Sequence, residues 1–261
     1  MRILLLTLHI AILLLAGWVS LVAAQINNVA PATIAPTPNA PINKAAVKNK
    51  IKVACVGDSI TQGVGTTAPK GSSNAYPTQL QRMLGNKYEV VNFGVSATTL
   101  LNKGDNPYQQ QEAFRRAKEY KPDVVIIMLG TNDTKPQNWK FKDEFAADYL
   151  DLVCQFARLD RKPRIFVCHP CYVPGDGNFG INQPAVEMEI PIIDEVAREQ
   201  HVDIIDMTGA TRGHDDLIPD RVHPNSAGAA ILAKTAFKAL TGKDYGGPFP
   251  TITDALAPAM P

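Results

Sequence analysis

From Lys50 onward the chain alternates between two patterns. Short apolar runs, rich in β-branched residues, occupy positions 51–56, 88–93, 124–129, 164–168 and 202–205, and each is bounded by loop-forming residues. Runs of this length without polar alternation fit strands buried on both faces of a parallel sheet. Between them lie stretches with helical apolar spacing, at 75–84, 109–119, 141–158, 184–200 and 225–240. Asp123 precedes the third run, and Asn225 or Ser226 is placed to cap the last helix. Strands alternating with helices predict an α/β fold, a doubly wound sandwich about a five-stranded parallel sheet. No internal repeat is visible.

The pattern changes at both ends. Met1-Arg2 leads into an apolar run over 3–24 that closes on Val22-Ala23-Ala24. A charged start, an apolar centre and small terminal residues read as a secretory signal cut after Ala24, which predicts a secreted or periplasmic protein with no stable membrane insertion after cleavage. An uncleaved N-terminal membrane anchor is the alternative, because the run is long enough to span a bilayer. No cysteine stands at the cleavage point, so a lipoprotein anchor is not indicated. Residues 25–49 are rich in Pro, Ala and Asn and read as a linker; 245–261 carry Pro248, Pro250, Pro258 and Pro261 and read as a loose tail. The folded domain is then 50–244.

Composition narrows the partners. A net charge of +1 without a long basic run argues against nucleic acid. Of the four cysteines, Cys55 falls within a strand and Cys154 within a helix. Cys168-His169-Pro170-Cys171 has the spacing of a redox or zinc pair, but a second ligand pair is missing. A disulfide involving Cys154, Cys168 or Cys171 stays open.

The candidate chemistry sits just past the strand ends, where doubly wound sheets gather their active groups. Gly57-Asp58-Ser59 follows the first strand, Asn92-Phe93-Gly94 closes the second, Gly130-Thr131-Asn132-Asp133 follows the third, and Asp220-Arg221-Val222-His223 precedes the last helix. A serine hydroxyl is a weak nucleophile at neutral pH and needs a base; His223 can serve, with Asp220 fixing its tautomer. Donors for a developing oxyanion are the Ser59 amide, the Gly94 amide and the Asn132 side chain. Each segment also has a structural reading: Ser59 as a helix cap, Gly94 as a tight turn, Asn132 as an Asx-turn, and His223-Pro224 as a helix-start turn.

In order, these four segments resemble the four blocks of the SGNH (GDSL-type) hydrolases, over about Lys52 to Gly228. The resemblance implies a three-layer flavodoxin-like fold and a serine esterase with Ser59, His223 and Asp220 as triad. It also implies Ser59, Gly94 and Asn132 as oxyanion hole, and neither cofactor nor metal. The Gly-x-Ser-x-Gly elbow of α/β-hydrolases is absent around Ser59. The chain is similar to bacterial carbohydrate acetylesterases of this family, including sialate O-acetylesterase-like proteins. That implies a small-acyl ester on a glycan as substrate. Exported lysophospholipases, thioesterases and arylesterases of the family are the alternative. The segments 134–140 and 172–180 are mostly polar, with Trp139, Tyr172 and Phe179 available to stack on sugar faces. His169, past the fourth strand, is a candidate substrate contact or a satisfied structural histidine. Lys135, Lys140 and Arg212 are candidates for an acidic sugar or simply solvated.

Overall fold

A computed structural model describes residues 50–68 and 73–248. The signal expected at 1–24, the linker expected at 25–49 and the tail beyond residue 248 lie outside the described residues. Five parallel strands form one sheet: β1 (Ile51–Gly57), β2 (Tyr88–Gly94), β3 (Val124–Met128), β4 (Arg164–His169) and β5 (Asp203–Asp206), in the order β2-β1-β3-β4-β5. The chain reverses its direction of travel across the sheet between β1 and β3. The carboxyl ends of those strands are therefore the place where an α/β sheet opens a crevice. At the opposite edge, Asp123 locks the register of the amino ends of β1 and β3. Its amide donates to Lys52 O at 2.9 Å and its carboxylate accepts from the Lys52 amide at 2.9 Å.

Side chains alternate across the sheet. Val53, Cys55, Ile126, Met128, Phe166 and Cys168 share one buried cluster with side chains of α2 (Tyr76–Leu84) and α8 (Ser226–Thr241). The intervening Ala54, Val56, Val125, Ile127, Ile165 and Val167 are equally buried. They serve the opposite face, where α3 (Glu112–Glu119), α5 (Phe145–Ala157) and α6 (Gln183–Gln200) pack. Three layers result. Each buried Val, Ile, Met or Phe among them contributes about 1.5–3 kcal/mol by leaving water. Three short helices complete the set: α1 (Ser59–Gln62), α4 (Pro136–Trp139) and α7 (Met207–Thr211).

Helix starts differ from the pattern reading where short 3₁₀ turns intervene, at Tyr108–Gln110 before α3 and Lys142–Glu144 before α5. The last helix is capped by Asn225, whose Oδ1 accepts the Ala227 and Gly228 amides at 3.0 Å each. All four cysteines are free thiols. Burial pushes the Cys55 thiol up to about 12 and the Cys168 and Cys171 thiols well above their ordinary value. Burial thus disfavours the thiolate form of these three groups.

Two glycines let α1 lie close over the strand ends. A Cβ on Gly57 would stand 2.6 Å from Met128 O, and one on Gly94 would stand 2.3 Å from the Gln62 amide nitrogen and 2.9 Å from Asp58 O. The obstacles at Gly94 are backbone atoms, which cannot swing aside. Gly94→Ala is expected to lower stability by about 1–3 kcal/mol, read as a lower urea midpoint at unchanged slope; an unchanged midpoint would show that α1 is free to shift.

Candidate active site

β1 ends at Gly57 and the chain turns directly into α1. Asp58 makes the turn, with its Oδ1 accepting the Ile60 amide at 2.9 Å, and Gly63 ends the helix in the left-handed region at φ 107°. Ser59 is thereby held as the first helical residue, nearly buried at 5% exposure. First-turn amides have no acceptor within a helix, and the Ser59 N–H has no partner among the described residues. From 164 positions away, His223 brings Nε2 to 2.9 Å from Ser59 Oγ. Its Nδ1 lies 2.7 Å from Asp220 Oδ2. The other Asp220 oxygen accepts the Val222 amide at 2.9 Å and the His223 amide at 2.6 Å. This tight turn requires Arg221 at φ 66°. Burial works against the Asp220 charge, but the His223 amide, the imidazole and the Val222 amide together hold its carboxyl below the usual range. The carboxylate is thus ready to orient an imidazole and to balance an imidazolium.

The donor side departs from expectation at one residue. Asn132, 4% exposed, spends one Nδ2 hydrogen on Thr98 O at 3.1 Å, which leaves its second amide hydrogen available. Gly94 is different: its amide donates to Asn92 Oδ1 at 2.8 Å, so it is not free to hold an oxyanion. Asn92 in turn donates through Nδ2 to Thr61 O at 2.7 Å, which makes this corner a brace for α1. The open amide on this loop is that of Ala97. It sits at φ 63°, exposed, has no partner among the described residues, and directly precedes the Thr98 whose carbonyl Asn132 holds. An alanine in the left-handed region carries no sequence signature, whereas a glycine at a strand end draws the eye.

The sequence profile of the GDSL-like lipase/acylhydrolase family matches residues 55–231. The chain belongs to the GDSL-like lipase/acylhydrolase family. An acetylxylan esterase of Xylanibacter ruminicola is 39% identical to it over 210 residues, covering 73% of this chain and 43% of that protein. The chain therefore spans less than half the length of this curated relative. Among solved structures, a carbohydrate acetylesterase from Sinorhizobium meliloti matches with a TM-score of 0.56 at 22% identity, over 72% of this chain and 97% of that one. An acetylxylan esterase from Geobacillus stearothermophilus matches with a TM-score of 0.57 at 24% identity, over 74% and 95% respectively. Both share the fold.

Beneath the triad this GDSL-family chain buries three further acids: Asp58, Asp133 and Glu189. Asp133 accepts the Leu100 amide at 2.9 Å and the Leu101 amide at 2.7 Å, so it anchors the loop that carries Ala97 to the end of β3. Glu189 reaches up from α6 against Gly130, where a Cβ would lie 2.4 Å from its Oε2. Neither Glu189 oxygen has a partner among the described residues. Burial first, then the charges of Asp133 and Asp58, raise the Glu189 carboxyl well above its ordinary value. Burial likewise pushes Asp58 up to about 6 and Asp133 up to about 7. The pattern reading of α6 as an amphipathic helix gave no sign that Glu189 faces inward. Among the described residues no group of three or more His, Cys, Asp or Glu side chains is arranged to hold a metal ion, and no helix is long and apolar enough to cross a membrane.

The candidate substrate contacts sort themselves. His169 is not available: its Nε2 lies 2.7 Å from Asp194 Oδ1 and its Nδ1 3.2 Å from Asp206 Oδ1, so both ring nitrogens are engaged by carboxylates and the structural reading replaces the substrate one. Trp139 is half-buried, edge-on to Phe145 at 5.8 Å. Tyr172 lies under the Arg212 guanidinium at 5.0 Å, and Arg212 is itself held by Glu187 at 2.9 Å. The aromatic ring that the structure sets beside the triad is Phe179, 5.9 Å from the His223 ring and 56% exposed.

The buried acids make stability pH-dependent. Unfolded, Asp58 and Asp133 titrate near 3.8; folded, they keep their protons to about 6 and about 7. The unfolded chain therefore binds fewer protons across that window, and these two groups lower stability as pH rises through it. Between about pH 4 and 7 the urea midpoint should fall. Asp58→Asn, which keeps the Oδ1 acceptor for Ile60, should shrink that fall; an undiminished fall in the variant would mean that Asp58 is ionised in the folded protein.

Proposed function

We propose that this chain removes small acyl groups, acetyl above all, from carbohydrate by a Ser-His-Asp mechanism through an acyl-enzyme. Membership of an acylhydrolase family makes the coarse chemistry carboxylic ester hydrolysis. The observation that carries the mechanism is the single imidazole bridging Ser59 Oγ at 2.9 Å and Asp220 Oδ2 at 2.7 Å. In this reading Ser59 Oγ attacks the ester carbonyl while His223 Nε2 takes its proton. Asp220 holds the Nδ1 proton and balances the imidazolium. Negative charge on the carbonyl oxygen falls to the Ser59 amide, the free Asn132 Nδ2 hydrogen and the Ala97 amide. His223 then protonates the departing alcohol, leaving acetyl on Ser59. Water repeats the sequence with His223 as base and releases acetate.

The carbohydrate part is supported by the acetylxylan esterase relative, and by polar segments such as Lys135–Lys140 near the site. The N-terminal signal reading belongs to the same proposal and sets the reaction outside the cytoplasm, where glycans are met.

The test is hydrolysis of p-nitrophenyl acetate, butyrate and octanoate, together with acetate release from acetylated xylan and from O-acetylated sialic acid. Acetyl preference and release from one of the glycans are expected, with a loss in kcat on the order of 10⁴-fold for Asp220→Asn and on the order of 10⁶-fold for Ser59→Ala. Asn132→Ala should lose about 10²–10³-fold in kcat as one lost oxyanion donor. Octanoate preference would point to the lipid or thioester side of the family, and turnover surviving Ser59→Ala would overturn the mechanism.

A further inference from the structure

The segment after β4 contains a feature that the triad does not require. Asn178 and Ile181 exchange backbone hydrogen bonds, the Asn178 amide to Ile181 O at 3.1 Å and the Ile181 amide to Asn178 O at 2.8 Å. The two residues between them, Phe179 and Gly180, have φ of 53° and 81°. Two positive φ values at the tip are the mark of a type I′ turn, which ordinarily takes Asn or Gly at its first position. A phenylalanine there is sterically costly, and such cost persists where the surroundings over-determine it.

The surroundings do so here. Asn178 Oδ1 accepts the Phe179 amide at 2.8 Å, and Asn178 Nδ2 donates to Asp220 O at 3.0 Å, which ties the tip to the triad turn. Below the tip, Ile181 packs in one buried cluster with Val222, the neighbour of His223. On the other side, a Cβ on Gly180 would stand 3.6 Å from Pro136 and 3.8 Å from Lys135, on the segment that follows Asn132. The turn thus stands between the two loops that flank Ser59. It holds an apolar ring 56% exposed and 5.9 Å from the catalytic imidazole, tilted by 53°. Burial does not account for this ring, since most of it stays in water.

We infer that Phe179 is a specificity-determining platform on which the sugar ring of the leaving alcohol stacks. This inference rests on the carbohydrate-ester reading above. His223 delivers its proton to the departing alcohol oxygen, so a surface beside His223 meets the alcohol half of the ester rather than the acyl half. A pyranose presents a flat face of C–H groups with hydroxyls at its rim. That face matches an exposed aromatic ring, and the rim stays solvated. The hydrogen-bonded turn holds the backbone that carries the ring in place before substrate arrives, so less ordering is left to be done on binding.

The experiment compares an acetylated xylo-oligosaccharide with ethyl acetate, whose alcohol has no ring to stack, using acetate release for both. Phe179→Ala should raise KM for the oligosaccharide so that the ratio of kcat/KM, oligosaccharide over ethyl acetate, falls about tenfold. Phe179→Tyr should restore the ratio, and Phe179→Leu, which keeps apolar bulk without a flat face, should not. Equal losses on both esters, or rescue by leucine, would overturn the platform and leave Phe179 as a packing partner of His223. If the wild-type protein hydrolyses ethyl acetate but releases nothing from the oligosaccharide, the carbohydrate reading fails and the platform fails with it.

Discussion

Everything at this site depends on how closely α1 can approach the ends of β1 and β2. Ser59 has no long element of its own; it sits on a single helical turn between Asp58 and Gly63. That turn is held by contacts from below: Asn92 Nδ2 on Thr61 O, the Gln62 side chain accepting the Ser96 amide, and the side-chain-free face of Gly94 beneath it. A methyl group at Gly94 would displace Ser59 without touching it. The 2.9 Å between Ser59 and His223 is therefore a property of backbone packing at the sheet edge, as much as of the two side chains.

The carboxyl groups divide into two kinds, and environment alone separates them. Asp220 lies at the rim with three donors directed at it and is held in its charged form. Asp58, Asp133 and Glu189 lie beneath, where burial favours the neutral form. Their work is positional. Asp58 sets the turn that carries Ser59, and Asp133 fastens the loop that carries Ala97. Among the described residues, Asp220 is the carboxylate hydrogen-bonded to the His223 ring, at 2.7 Å.

The sheet was legible because its strands are buried on both faces, and an uninterrupted apolar run such as 124–129 has few other uses. The meeting of Ser59, Asp220 and His223 followed from a rule about strand ends. Boundaries were less legible where a 3₁₀ turn precedes a helix, as at Lys142–Glu144, since its spacing imitates the helix it joins. Gly94 was legible as a glycine that matters, but not as a spacer, because a glycine serves close approach and open amides alike. Ala97 and Phe179 stand at positive φ, which nothing in their side chains announces. His169 stayed open between substrate contact and structural histidine because Asp194 and Asp206, which occupy it, come from α6 and the end of β5, far away in sequence. Glu189 was hidden in the same way, its burial set by Gly130 on another element.

In the proposed mechanism Ser59 is the nucleophile and His223 makes it one. Reaction with a fluorophosphonate, followed by intact mass and peptide mapping, tests this most directly, since the reagent needs an activated hydroxyl but no particular substrate. One adduct per chain is expected on the peptide containing Ser59, with labelling slowed by orders of magnitude in His223→Ala. An adduct on another residue, or labelling of Ser59 at an undiminished rate without the imidazole, would contradict it.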